Sequence, residues 1–136
     1  MSETVIKLEN LELTKNNIIQ LLEQLTIDYQ NTFQERKQIA LNFTPSEAEF
    51  TLLEEIELLT TDIRGYASQI KARGKIDNRA VAITKLQKMR LFTIPNISQF
   101  YFDNQVNFPL VKAYLRILDY LRLLILEYLT LQQQNS

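Results

Sequence analysis

The stretch LLEEIELLTTDIRGYASQIKARG, residues 52–74, decides the fold of this chain. Its apolar residues recur in alternating steps of four and three, which places them along one face of an α-helix. They are Leu52, Ile56, Leu59, Ile63, Tyr66 and Ile70. Upstream, Thr44, Pro45 and Glu47 form a helix start signal in which Thr44 caps the first turn. Gly74 tolerates the left-handed conformation that ends a helix. We therefore predict a long helix from the Thr44 signal to Gly74.

A first helix is predicted on the N-terminal side, from Thr14 to about Leu41. The evidence is an apolar face with steps of three and four, formed by Ile18, Leu22, Leu25, Tyr29 and Phe33. Residues 1–13 alternate in polarity and are compatible with a strand, a helix or irregular structure.

On the C-terminal side, Asp77 is predicted to cap a shorter helix that ends before Pro95. Its buried face would hold Ala82, Leu86 and Met89. The stretch 96–103 should form a helical turn or short helix. Pro109 is expected to open a final helix that is apolar around most of its circumference from residue 110 to 131, and such a helix sits centrally or meets a partner. The polar residues 132–136 should fray.

These signals predict an all-α fold, with one helical-bundle domain over residues 1–136. We expect four to five helices, two or three of them long. A chain of 136 residues with 46% hydrophobic residues can bury one core. With only two glycines and three prolines it has few places to turn.

The chain has neither Cys nor His, which limits its chemistry. Thiolate and imidazole metal sites, Ser-His and Cys-His nucleophiles and histidine proton shuttles are all excluded. We expect no enzymatic activity, no cofactor, no metal ion and no small-molecule substrate. The N-terminus lacks the pattern of a secretory signal, and charges interrupt the hydrophobic C-terminal stretch every three to five residues. The sequence therefore predicts a cytoplasmic protein that does not span a membrane.

Charge is distributed unevenly along the chain. Residues 1–63 contain four basic and twelve acidic residues, and residues 91–136 contain three of each. Residues 64–90 contain a single acidic residue, Asp77, and eight basic ones. These are the candidate nucleic-acid-binding residues: Arg64, Lys71, Arg73, Lys75, Arg79, Lys85, Lys88 and Arg90. Such a density of cations suits the neutralisation of backbone phosphates.

Two pairs of cations are the best candidates within this segment. Arg64 and Lys71 are seven residues apart and share one flank of their helix, while Lys85 and Lys88 are one turn apart on the next. The alternative is that the cations form surface pairs with the acidic first third of the chain and only solvate the bundle. The candidate partners would be Glu54, Glu55 and Glu57.

Two further motifs have functional and structural interpretations. Ser68 and Lys71 match the S-x-x-K spacing of acylating penicillin-recognising enzymes, but the companion motifs of those enzymes are missing, so a solvated helix face is favoured. Phe100, Tyr101 and Phe102 are three consecutive aromatic residues that cannot all face one core. Either one of them contacts a base or a partner, or together they close the end of the bundle.

A short cysteine-free helical domain, with a basic ridge from Arg64 to Arg90 and an apolar helix from Leu110 to Leu131, resembles the small subunit of CRISPR-Cas effector complexes. The likeness lies in the architecture. It implies a non-catalytic helical bundle that lines up along the guide-bearing backbone. It also implies contact with the target duplex or the displaced strand through basic side chains, within antiviral defence.

We therefore expect a subunit that binds RNA or DNA backbone without sequence specificity inside a larger ribonucleoprotein. Its protein partners would be other subunits or further copies of the chain. The alternative is a protein-only adaptor, scaffold or assembly chaperone that acts through its apolar C-terminal helix.

Overall fold

A computed structural model describes residues 3–42, 50–103 and 107–134. These residues form six α-helices and one 3₁₀-helix, and none of them lies in a strand. In chain order the elements are α1 (Glu3–Asn31), α2 (Phe33–Asn42), α3 (Leu52–Arg73), α4 (Arg79–Lys88), the 3₁₀-helix (Leu91–Thr93), α5 (Pro95–Phe102) and α6 (Pro109–Gln134). The predicted all-α class is confirmed, whereas the predicted number of helices was too low.

The predicted first helix is in fact two helices, separated at Thr32. The hydroxyl of Thr32 donates to the carbonyl of Tyr29 at 2.6 Å, an interaction that competes with continuation of the helix. Arg36 fixes the bend: its Nε donates to Thr32 Oγ1 at 2.8 Å, and its guanidinium carbon lies 3.9 Å from the centroid of the Tyr29 ring. Phe33, which the sequence placed on the apolar face of the first helix, follows this break and is exposed. Residues 3–13, for which the sequence allowed a strand or a helix, belong to α1.

The central helix α3 begins later than predicted. Thr51 is its N-cap, and the Thr51 hydroxyl and the Glu54 carboxylate each accept a hydrogen bond from the other residue's backbone amide. The predicted cap at Thr44 lies outside the described residues. Five of the six predicted core residues are buried, Tyr66 is only partly buried, and Thr60 and Ala67 are additional buried members. Gly74 ends the helix with φ +70°, as predicted.

Helix α4 is capped differently from the prediction. Asn78 occupies the N-cap position, and the carboxylate of Asp77 instead accepts from Arg73 at 3.0 Å. The predicted buried face of this helix is confirmed. The chain then turns through the 3₁₀-helix, and Pro95 stands at the first position of α5, which confirms the predicted short helix after it.

Helix α6 occupies the centre of the bundle, in contact with α1, α2, α3 and α4. It runs antiparallel to α1, because the Tyr29 and Tyr114 rings lie 5.4 Å apart at one end. At the other end, Gly74 lies next to both Lys15 and Tyr128. The inward face of α6 is buried from residue 111 to 129, and Tyr120 and Leu123 stay exposed. Most of its apolar circumference is therefore covered by the chain itself.

Both ends of α6 differ in detail from expectation. At its start, the two carboxylate oxygens of Glu35 accept from the amides of Leu110 at 3.0 Å and Val111 at 2.9 Å, so α2 caps α6. At its end the helix extends to Gln134, which is further than the predicted fraying point, and residues 135–136 lie outside the described residues. None of the helices in the described part of the chain is long and apolar enough to cross a membrane.

Candidate nucleic-acid interface

The turn after α3, which carries Arg73 and Lys75, is held firmly by α6. The carbonyl of Gly74 accepts from the Tyr128 hydroxyl at 2.6 Å and from Gln132 Nε2 at 2.7 Å. Burial raises the pKa of Tyr128, so this hydroxyl keeps its proton and remains a donor. The two neighbouring cations therefore project from a fixed backbone.

Helix α3 separates the two predicted cation pairs. Lys71 lies toward α1, since its Nζ is 4.0 Å from Glu23. Lys85 of α4 lies 3.5 Å from Asp62 of α3. Asp62 and Lys71 are nine residues apart, about two and a half helical turns, and therefore point to opposite flanks of α3. Arg64 shares the Lys71 flank, so the two predicted cation pairs do not form one continuous surface.

Three of the eight cations form ion pairs in the described structure. They are Lys71 with Glu23, Arg73 with Asp77 and Lys85 with Asp62. All six side chains are substantially exposed, and pairs of this kind contribute only about 0.5 kcal/mol each to stability. Such pairs leave the cations accessible to a phosphate.

The remaining five candidates have no ion pair with any described residue: Arg64, Lys75, Arg79, Lys88 and Arg90. Arg79 is partly buried and the other four are exposed.

The carboxylates that the alternative interpretation assigned to these cations have other roles. Glu54 belongs to the capping box of α3, and Glu57 accepts from the Tyr29 hydroxyl at 3.5 Å. Burial raises the pKa of Glu55, and a hydrogen bond from Asn96 opposes that rise. Surface pairing with the acidic part of the chain does occur, through Glu23 and Asp62, but it involves fewer than half of the cations.

A buried arginine of α6 holds α4 in place. Arg122 donates through Nη1 to the carbonyl of Leu86 at 2.8 Å and through Nε to Asp119 at 3.0 Å. Its residue exposure is 8%. Because Leu86 lies in the last turn of α4, the guanidinium binds the negative end of that helix. The outer side of α4, which carries Lys85 and Lys88 beside the exposed Val81, is thereby given a defined orientation.

Sequence reasoning missed two cations that lie near the candidate residues. Lys15 of α1 lies close to the turn after α3. Its Nζ is 3.7 Å from the position that a β-carbon would occupy at Gly74. Arg116 of α6 donates to the Tyr101 hydroxyl at 3.1 Å. These residues belong to the acidic and neutral thirds of the sequence, and only helix packing brings them to the basic segment and the aromatic residues.

The three consecutive aromatic residues divide between the core and the surface. Phe100 is buried and stacks on Phe108, with ring centroids 5.9 Å apart. Tyr101 is partly buried, and Phe102 is 61% exposed. The prediction that the three cannot all face one core is confirmed, and Phe102 is the member that the core leaves exposed.

No group of three or more Asp or Glu residues within the described ranges could hold a metal ion. Ser68 is exposed on α3, and its neighbour Lys71 is directed to Glu23. No protein-family model matches the chain, and no curated protein or solved structure shows significant similarity to it.

Proposed function

We propose that this chain is a non-catalytic subunit that binds nucleic-acid backbone without reading sequence. The observation that carries the proposal is the set of five cations in residues 64–90 that have no ion pair among the described residues. Phosphate oxygens are the natural partners for such a set, because binding them releases condensed counterions from the nucleic acid.

The arrangement of these cations favours backbone contact over base reading. Helix α4 has ten residues, about 15 Å, and its outer side offers lysines beside small and apolar groups. Base reading in the major groove uses bidentate Arg, Lys, Asn or Gln contacts from an element that enters the groove. Lys85 and Lys88 instead lie beside apolar groups on the outside of a short helix, where contacts to phosphate fix position and carry no sequence information.

The two-sided distribution of cations suits work within an assembly. Arg64 lies on the α1 flank of α3, and Lys88 lies on α4 beyond the opposite flank. A subunit of this shape can contact nucleic acid from either flank of α3 and still leave surface for contacts with other protein subunits. We assign it to a larger ribonucleoprotein in the cytoplasm. The resemblance to the small subunit of CRISPR-Cas effector complexes extends this proposal to antiviral defence.

The adaptor alternative loses much of its support. It requires the apolar final helix to dock to a partner, yet α6 buries most of its apolar side chains against α1, α3 and α4. The large apolar side chains of α6 that are exposed are Leu110, Tyr120 and Leu123. These three side chains offer a smaller docking surface than the sequence suggested.

Single charge reversals test the proposal. We would measure fluorescence anisotropy of labelled single-stranded and duplex 20-mers with Lys88→Glu and Arg64→Glu, at low salt. Lys37→Glu on α2 is the control, because Lys37 is exposed, has no ion pair among the described residues and gives the same change in charge. We expect at least one of the two site variants to bind about fivefold or more weakly than Lys37→Glu, since a lost phosphate contact and a new repulsion act together. Equal affinities for all three variants would contradict the proposal.

A further inference from the structure

An aromatic cluster lies where the 3₁₀-helix meets α5. We call Phe92, Tyr101 and Phe102 the aromatic platform. The ring centroids of Phe92 and Tyr101 are 4.5 Å apart, those of Tyr101 and Phe102 are 5.0 Å apart, and those of Phe92 and Phe102 are 6.3 Å apart. The three rings therefore form one contiguous surface.

The helix that carries the platform is packed against the core, and the platform itself is open to solvent. Phe100, in the same short helix, is buried and stacked on Phe108, which fixes α5 against the core. Phe92 and Tyr101 are partly buried, whereas Phe102 leaves 61% of its surface exposed. An exposed ring that is backed by two others can accept a planar ligand without first having to be ordered.

One cation contacts the platform, and another is its close neighbour along the chain. Arg116 of α6 donates to the Tyr101 hydroxyl at 3.1 Å while remaining exposed. Arg90 is exposed, has no ion pair among the described residues, and precedes Phe92 by two positions, so their Cα atoms are within about 7 Å. Lys88 precedes Arg90 by two further positions on α4. The platform therefore follows directly, along the chain, on the cations at the end of α4.

We propose that the aromatic platform stacks on an unpaired base of a single-stranded nucleic acid, with Phe102 as the principal contact and the flanking phosphates bound by Arg90 and Arg116. This inference rests on the proposed function and specifies the class of ligand. A duplex keeps its bases stacked on one another, whereas a single strand presents ring faces to aromatic side chains. The neighbouring cations favour an anionic strand over an apolar protein segment.

The inference is tested with Phe102→Ala, a change at an exposed side chain that leaves the core intact. We would compare its binding to a labelled 20-mer of oligothymidylate with binding to an abasic oligonucleotide of the same length and charge. Stacking predicts about tenfold weaker binding of oligothymidylate and unchanged binding of the abasic strand. Phe102→Tyr should restore the affinity, and Phe33→Ala, which removes an exposed ring from α2, should have no effect.

The outcomes separate the two proposals. If wild-type protein binds both strands equally and Phe102→Ala changes neither, the stacking inference is wrong and backbone binding stands. If wild-type protein binds neither strand, both proposals fail. If Phe102→Ala abolishes a concentration-dependent increase in mass in light scattering and leaves strand binding intact, the platform contacts a second copy and the stacking inference is overturned.

Discussion

Replacing Arg122 by methionine should loosen α4 and destabilise the domain. The Arg122 side chain is buried and donates hydrogen bonds to the Asp119 carboxylate and to the Leu86 carbonyl. Loss of a buried hydrogen bond from a charged donor costs about 1.5–3 kcal/mol, and removal of one partner of a fully buried ion pair costs about 3–5 kcal/mol. The side chain of Asp119 is 20% exposed and can regain some water. We therefore expect the free energy of unfolding to fall by about 2–3 kcal/mol.

Urea denaturation followed by circular dichroism at 222 nm measures this loss. With an m value of about 2 kcal/mol/M, the midpoint should fall by about 1–1.5 M urea. Arg64→Met is the matched control, because Arg64 is exposed and has no ion pair among the described residues, and its midpoint should shift by less than about 0.3 M. The double variant Asp119→Ala, Arg122→Met should recover part of the loss, since it leaves no stranded carboxylate. A midpoint shift for Arg122→Met no larger than that of Arg64→Met would refute this reasoning.

Three further predictions concern stability. Glu35→Ala removes the carboxylate that caps α6 and should lower the free energy of unfolding by about 1–2 kcal/mol. Urea denaturation measures this loss, and an unchanged midpoint would mean that water replaces the cap. Gly74→Ala should lower the free energy of unfolding by about 1 kcal/mol, because φ is +70°. The nearest atoms, at 3.7 Å, leave room for the added methyl group, so a loss above about 3 kcal/mol would indicate a steric clash instead. Burial raises the pKa of Tyr114 above its ordinary value of 10.0, so the unfolded chain loses this proton first and stability falls as the pH rises through 10. Tyr114→Phe should flatten that alkaline decline in a series of denaturation curves, and an equally steep decline would contradict the assignment.

The parts of the fold that follow from local periodicity were predictable. The face of α3 and its end at Gly74 follow from apolar spacing and from one residue that tolerates positive φ. The break at Thr32 was missed because a threonine side chain competed with the helix and Arg36 stabilised the result. The predicted cap of α4 is wrong: Asp77 bonds to Arg73 instead, and Asn78 occupies the N-cap position without a capping hydrogen bond from its side chain.

The candidate site was predictable in composition and not in arrangement. Clustering of cations between Arg64 and Arg90 is visible in the sequence. The separation of the two predicted cation pairs by α3 depends on which helix packs on each flank, and that is fixed by long-range contacts such as Lys71 with Glu23 and Lys85 with Asp62. Lys15 and Arg116 could not be assigned from the sequence, because their neighbours at the site lie 59 and 15 positions away along the chain.

The salt dependence of binding tests the central claim most directly. We would measure the association constant of wild-type protein for a 20-mer single strand between 50 and 200 mM NaCl. If the five cations without ion pairs each bind a phosphate, log K should fall against log salt with a slope between about −3 and −5, and affinity should drop about a hundredfold or more over that range. A slope near zero, or no binding at 50 mM salt, would contradict the assignment of this protein as a nucleic-acid backbone binder.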